Sequence, residues 1–247
     1  MIKIIAHRGA SWDYPENSLE AMIEACRQQA DIVETDVRQT SDKIPVLCHD
    51  KNLKRLVGED CDISDITAEQ FKGMKILGSG TPLLLEELLT MNESPRKIIL
   101  DIKEFGLEKN VNELICKHGW QERIIVSSFY TIIIKRFSKL NPDLETALIL
   151  DRVATIPIAL RLNPVNHLFL RALGVNRLHV SYRKSNVAGS AKLAKLGHKI
   201  AFWTVDDPDE IRRAMSAEPY GIMTNRPGFA RDVLKDTGGL DEEHAHS

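Results

Sequence analysis

The chain holds only 4 cysteines in 247 residues, Cys26, Cys48, Cys61 and Cys116, and no two of them form a C-x-x-C pair. That spacing argues against a zinc knuckle or a thiol redox centre and leaves four free thiols as the expectation. Long apolar runs are also missing. The longest, around residues 98–102 and 131–134, fall far short of the roughly 20 residues that a membrane-spanning helix needs. Residues 1–6 pass straight into a strand pattern, with one lysine and no small-residue cleavage site, so the cytoplasm is the expected compartment. Nor is there an excess of either charge: 33 Lys and Arg against 35 Asp and Glu give a formal net charge of −2. A general nucleic-acid binder needs a concentrated basic surface. Phosphate recognition, if present, should therefore be local. Internal repeats and low-complexity tracts are absent as well.

What remains is an ordinary globular composition, 43% hydrophobic and 28% charged. Short β-rich runs alternate with amphipathic stretches along the chain, the pattern of a parallel sheet wrapped by helices. Strands are expected at residues 2–6, 32–37, 97–102, 123–127, 145–150, 177–181, 199–205 and 221–224. Eight parallel strands close a (β/α)8 TIM barrel, an α/β fold, here read as a single domain over 1–236. A ninth run, 44–48, follows the second strand after only "RQTSDK". That link is too short for a parallel crossover, so the run must form a hairpin. It opens an insertion over 38–96, and loops of that length are usually functional. Helices are expected at 18–29, 107–118, 131–140, 186–196, 208–215 and 229–235, with Pro208 in a first turn behind the acidic pair Asp206-Asp207. The apolar link 151–174 has no clear helix boundaries, and the tail 237–247 reads as disordered.

Barrel chemistry sits at the C-terminal strand ends, and the charged residues gather there. The first strand ends in His7-Arg8, the second reads "IVETD" through Glu34 and Asp36, and the third reads "IILDIK" through Asp101 and Lys103. Side chains alternate along a strand, so Glu34 and Asp36 share one face, as do Asp101 and Lys103. Three carboxylates aimed at one space need a counter-charge. Either Arg8 and Lys103 supply it internally, or a divalent cation does, and hard oxygen ligands suit Mg²⁺ or Ca²⁺ better than zinc. His49-Asp50, Ser127-Ser128, Trp203 and Asn225 reach the same end. His7 and His49 each terminate an apolar strand beside the acids and could act as base and acid at one site. By contrast, His118, His167, His179 and His198 read as packing or surface residues. Arg8 offers a planar donor fork for phosphate. In "PENS", Asn17 or Ser18 would cap the first helix, and a polar contact of Glu16 and Asn17 with the site is an equal alternative. Trp203 would wall an apolar part of the site or pack in the core.

Six segments, "AHRGASWDYPENSLEA", "IVETDVRQTSDKIPVLCHDKNLKR", "PLLLEELL", "IILDIKE", "FWTVDD" and "GIMTNRP", resemble those of the glycerophosphodiester phosphodiesterases of the phospholipase C-like superfamily, in family order. The resemblance implies metal-assisted hydrolysis of glycerophosphodiesters, such as glycerophosphocholine, to glycerol 3-phosphate and an alcohol. It implies His7 and His49 as the acid–base pair, Glu34, Asp36 and Asp101 as ligands to Mg²⁺ or Ca²⁺, and Arg8, Lys103, Glu16, Asn17 and Trp203 on the substrate side. The expected partners are a small phosphodiester and, at most, further copies of the chain in a homo-oligomer. Two positions depart from the family pattern. Asp101 stands where Glu is usual, which shortens the side chain by about 1.5 Å, and Asn225 stands where Asp is frequent. The Asp is shared with the sphingomyelinase D branch, so hydrolysis of lysophospholipids or sphingomyelin is the alternative. From the residues alone, a Schiff-base aldolase using Lys103 and a non-catalytic binding protein also stay open.

Overall fold

A computed structural model describes residues 2–93, 95–151, 170, 175, 177–185 and 187–237. Most of the link 151–174, His167 and the tail beyond Thr237 lie outside these residues. Eight strands run parallel: β1 (Lys3–His7), β2 (Ile32–Gln39), β4 (Ile98–Ile102), β5 (Ile124–Ser128), β6 (Glu145–Leu150), β7 (Arg177–Ser181), β8 (Lys199–Trp203) and β9 (Gly221–Thr224). Their spatial order is β1-β9-β8-β7-β6-β5-β4-β2, and pairing of β1 with β2 closes the ring into a TIM barrel. The remaining strand, β3 (Pro45–Leu47), lies antiparallel on the far end of β2, with Val37 opposite Leu47. The short connection therefore makes the hairpin that its length requires. Strand bounds differ from the expected ones by a residue or two.

Helices α1 (Leu19–Arg27), α5 (Glu108–Lys117), α6 (Thr131–Leu140), α7 (Val187–Lys195), α8 (Pro208–Met215) and α9 (Pro227–Asp236) connect the strands. Between β2 and β4 lie the short helices α2 (Lys54–Val57), α3 (Ala68–Lys72) and α4 (Leu85–Thr90). This segment has its own apolar cluster, in which Val46, Leu53, Leu56, Ile63, Phe71 and Ile76 pack together. That core holds the segment in place beside the barrel mouth.

The period of two along each strand divides the barrel into an outside and an inside. Ala6, Val33, Val37, Leu100, Ile102 and Val126 face outward into the layer shared with the helices. Ile5, Ile32, Ile99, Ile125, Ala147, Ala201 and Met223 face inward and form one apolar layer across the barrel. Beneath this layer, Lys97 and Arg177 both pair with Glu145, at 2.6 and 2.7 Å. Above it, the inward positions turn polar: His7, Glu34, Asp36, Asp101, Ser127 and His179.

The turn after β1 depends on a close backbone approach. Arg8 and Gly9 both take positive φ, 57° and 81°. A Cβ on Gly9 would lie 2.6 Å from the backbone carbon and oxygen of Ala21 in α1. Only glycine lets the strand end drop onto that helix, and the drop keeps His7 and Arg8 pointed at the barrel axis. Gly9→Ala should therefore cost about 1–3 kcal/mol through overpacking and backbone strain, read as a lower urea midpoint with an unchanged m-value.

Candidate active site

The barrel mouth encloses a cavity of about 90 Å³ lined by residues from all eight parallel strands or the turns that follow them and from the hairpin, among them His7, Arg8, Glu34, Asp36, His49, Asp101 and Lys103. Pairing in register sets the acidic group. Glu34 lies opposite His7 across β1 and β2, and Asp36 lies opposite Asp101 across β2 and β4. Glu34, Asp36 and Asp101 are 4%, 1% and 4% exposed, and one oxygen from each falls within 4.8 Å of the others.

Two cations are built into this cluster. Lys103 Nζ lies 2.8 Å from Asp36 Oδ1 and 2.5 Å from Asp101 Oδ2. Arg8 Nε pairs with Asp36 Oδ2 at 3.1 Å, and the Arg8 backbone N–H donates to Glu34 Oε2 at 3.0 Å. Burial alone would raise Asp36, but Lys103 and Arg8 outweigh it and hold the carboxyl well below its usual range. Glu34 moves the other way, pushed up by burial and by the neighbouring charges of Asp36 and Asp101. Asp101 is pushed up to about 6, by burial first and by Asp36 against the pull of Lys103. Two internal cations thus satisfy one carboxylate fully and leave the other two short of positive charge.

Both imidazoles are fixed from behind. His7 Nδ1 donates to Asn225 Oδ1 at 2.7 Å. The amide can offer only its oxygen, because Asn225 Nδ2 donates to Asp206 Oδ2 at 2.7 Å and the Asn225 backbone N–H donates to Asp206 Oδ1. His49 Nδ1 donates to Asp50 Oδ1 at 2.7 Å, and Arg55 Nε grips the other oxygen of Asp50 at 2.6 Å. In each ring the neutral form is left with Nε2 as its basic atom. Burial, aided by Arg8, lowers His7 to about 4. Burial also lowers His49, with Asp36 opposing it. Both rings are accordingly neutral at physiological pH.

Residues 7–229 match the family described as "Glycerophosphoryl diester phosphodiesterase family". The chain belongs to that family. It is 27% identical over 248 residues to a glycerophosphodiester phosphodiesterase of Caldanaerobacter subterraneus subsp. tengcongensis, spanning 95% of this chain and 98% of the relative. A glycerophosphodiester phosphodiesterase of Bacillus altitudinis is 28% identical over 252 residues, 96% and 99% of the two chains. In fold it is similar to a phosphodiesterase of Oleispira antarctica solved in complex with the product sn-glycerol-3-phosphate, with TM-score 0.84 and 23% identity, covering 94% of this chain and 96% of that one. The family is one of enzymes.

Within this phosphodiesterase family site, the sequence-derived residues separate into two groups. His7, Arg8, Glu34, Asp36, His49, Asp101, Lys103 and Trp203 all line the cavity. Glu16 and Asn17 stand behind its wall. Glu16 accepts from Arg8 at 2.8 Å and from Arg55 at 2.8 Å. Asn17 Nδ2 donates to Asp36 Oδ2 at 2.9 Å, while its Oδ1 accepts from Thr35 Oγ1 at 2.7 Å. The capping role falls to Ser18, whose hydroxyl accepts from the Ala21 N–H. Lys103 is unsuited to a Schiff base, since Asp36 and Asp101 outweigh its burial and raise it above its usual range. All four cysteines are free, and no helix among the described residues is long and apolar enough to cross a membrane.

Asp206 and Arg55 escape a reading of the sequence, although a signal for Asp206 exists. Asp207 alone caps α8, accepting from the Asp209 and Glu210 N–H groups. A doublet holds one more acidic residue than a cap can use. The structure also fits a divalent cation. Asp101 Oδ1 is buried and has no hydrogen-bond partner among the described residues, and the oxygen spacing suits an ion with bonds of about 2.0–2.6 Å. The shorter Asp101 side chain thus still reaches the cluster.

If the excess negative charge makes this a cation site, millimolar Mg²⁺ or Ca²⁺ should raise the melting temperature. Saturation at about 100 times Kd corresponds to roughly 2.7 kcal/mol. Glu34→Gln should remove the shift; an unchanged melting curve in the wild-type protein would mean that Arg8 and Lys103 alone neutralise the cluster.

Proposed function

We propose that the chain hydrolyses glycerophosphodiesters to glycerol 3-phosphate and an alcohol, using His7 and His49 for proton transfer. The observation that carries this reading is the meeting of two neutral, rigidly held imidazoles with an under-neutralised trio of carboxylates in one cavity. Family membership supports the same chemistry.

Glu34, Asp36 and Asp101 would hold a divalent cation, Mg²⁺ or Ca²⁺, whose charge neutralises what develops on the phosphate oxygens as the bond to the leaving group breaks. Arg8 and Lys103 contribute fixed positive charge to the same space. Because Asp36, Glu16 and Asp101 already orient these side chains, they need little reorganisation when substrate arrives. One imidazole accepts a proton at Nε2 from the attacking oxygen, and the other, protonated in the substrate complex, delivers a proton to the departing alkoxide. Asn225 and Asp50 keep Nδ1 occupied in each ring, so each proton exchanges at Nε2 facing the reaction. Trp203 and Phe129, in edge-on contact at 6.0 Å between ring centroids, form an aromatic part of the cavity wall, with Lys103 Nζ 5.8 Å from the Phe129 ring centroid.

His7→Ala and His49→Ala should each lower kcat on glycerophosphocholine by about 10²–10⁴, the usual contribution of a positioned acid or base, with melting temperatures close to wild type. Enzymatic detection of released glycerol 3-phosphate checks this, and chelation should abolish release in the wild-type protein. Full turnover by the His7 variant would remove that residue from the reaction.

A further inference from the structure

Asp206 is half-buried and does not line the cavity. The Val205 N–H donates to the Met223 carbonyl at 3.0 Å and lays the loop after β8 along β9, which sets Asp206 against Thr224 and Asn225. Its Oδ1 accepts from Thr224 Oγ1 at 2.8 Å and from the Asn225 backbone N–H at 2.7 Å. Its Oδ2 accepts from Asn225 Nδ2 at 2.7 Å. Every contact runs in one direction, because a carboxylate accepts and does not donate.

That direction decides how the Asn225 amide is oriented. Turned over, the amide would set Oδ1 against Asp206 Oδ2, two acceptors at hydrogen-bond distance, and would aim Nδ2 at His7 Nδ1. His7 would then accept at Nδ1 and carry its proton on Nε2, which loses the lone pair that a base needs. Ser11 does not prevent this. Its hydroxyl lies 2.7 Å from the His7 carbonyl oxygen and 2.9 Å from Asn225 Oδ1, and a hydroxyl accepts as well as donates, so it fits either orientation of the amide. The His7 ring fits either orientation too, by changing tautomer. Of the described partners of the Asn225 side chain, Asp206 alone has a role that cannot invert.

We propose that Asp206 is a positioning residue for the reaction: through the Asn225 side chain it holds the His7 proton on Nδ1 and keeps Nε2 free to exchange a proton with the substrate. The proposal rests on the assignment of proton transfer to His7. Asp206 touches no reacting atom and acts through two hydrogen bonds in series. Asp206→Asn, which keeps the shape of the side chain, therefore reverses the relay instead of loosening it. The new amide keeps its oxygen for Thr224 and the Asn225 backbone N–H and must turn its NH₂ group on the Asn225 side chain, which then presents its own NH₂ group to His7. Adding Asn225→Asp restores an acceptor behind the ring, with the NH₂ group at position 206 donating to it.

Turnover of glycerophosphocholine by the full chain with Mg²⁺, together with two-bond ¹H–¹⁵N spectra of the imidazole nitrogens, tests the proposal. The His7 signals are identified by their loss in His7→Ala. Asp206→Asn should lower kcat by about 10²-fold or more, since a catalytic histidine held in the wrong tautomer loses up to about 10⁴-fold, while KM and the melting temperature stay close to wild type. The spectra should show the His7 proton moved from Nδ1 to Nε2. The double variant Asp206→Asn/Asn225→Asp should return the proton to Nδ1 and recover most of kcat, a coupling that independent sites do not show. Asp206→Ala, which leaves the amide both orientations, should give a mixture of the two ring forms and serves if the asparagine variant does not fold. An unchanged kcat in folded Asp206→Asn, a loss of kcat with the ring proton still on Nδ1, or a double variant no better than the single would overturn the role of Asp206. Full turnover by His7→Ala would overturn the proton-transfer assignment instead, and the ring spectra would still decide where Asp206 holds the proton.

Discussion

Asp36 holds the site together. Closed off from solvent, it pairs with Arg8 and Lys103, accepts the Asn17 amide and lies in register with Asp101. These partners come from the β1 turn, the residues ahead of α1 and the end of β4, so one buried carboxylate ties three chain segments to β2. An ion this deep is tolerated only with close counter-charge and full hydrogen bonding. Its neighbours pay for that arrangement: the cations that satisfy Asp36 leave Glu34 and Asp101 short, and both carboxyls are pushed upward. The imbalance suits a site that receives a cation and then an anionic substrate.

The two imidazoles are handled by the same device with different parts. Asn225 stands behind His7 and is itself fixed by Asp206; Asp50 stands behind His49 and is fixed by Arg55. In both, a group that can only accept at that atom sets the tautomer. Burial, with Arg8, lowers His7 to about 4, and burial also lowers His49, with Asp36 opposing it. Glu16 links the two halves, binding Arg8 on one side and Arg55 on the other. The hairpin segment, with its own apolar cluster, therefore belongs to the site through ion pairs as well as through His49.

The wall across from the acids has a different character. It is built by Ile149, His179 and Trp203 from β6, β7 and β8, with no carboxylate or cation among them.

Much of this is local information. The alternation of Ile5, His7, Ile32, Glu34, Ile99 and Asp101 along their strands determined which residues face the barrel axis, and the step from apolar to charged at each strand end marked the end that carries chemistry. The brevity of "RQTSDK" likewise required a hairpin. Tertiary structure decided what depends on approach between distant segments. It assigned the helix cap to Ser18 and freed Asn17 for Asp36, spent Glu16 on two arginines, and set Asp206 behind Asn225, 19 residues away. It also turned His179 from a packing residue into part of the cavity, because a ring nitrogen is satisfied or orphaned only by what the other strands bring beside it. Periodicity follows from backbone geometry within one strand, whereas the partner of a buried polar atom is a property of the closed barrel.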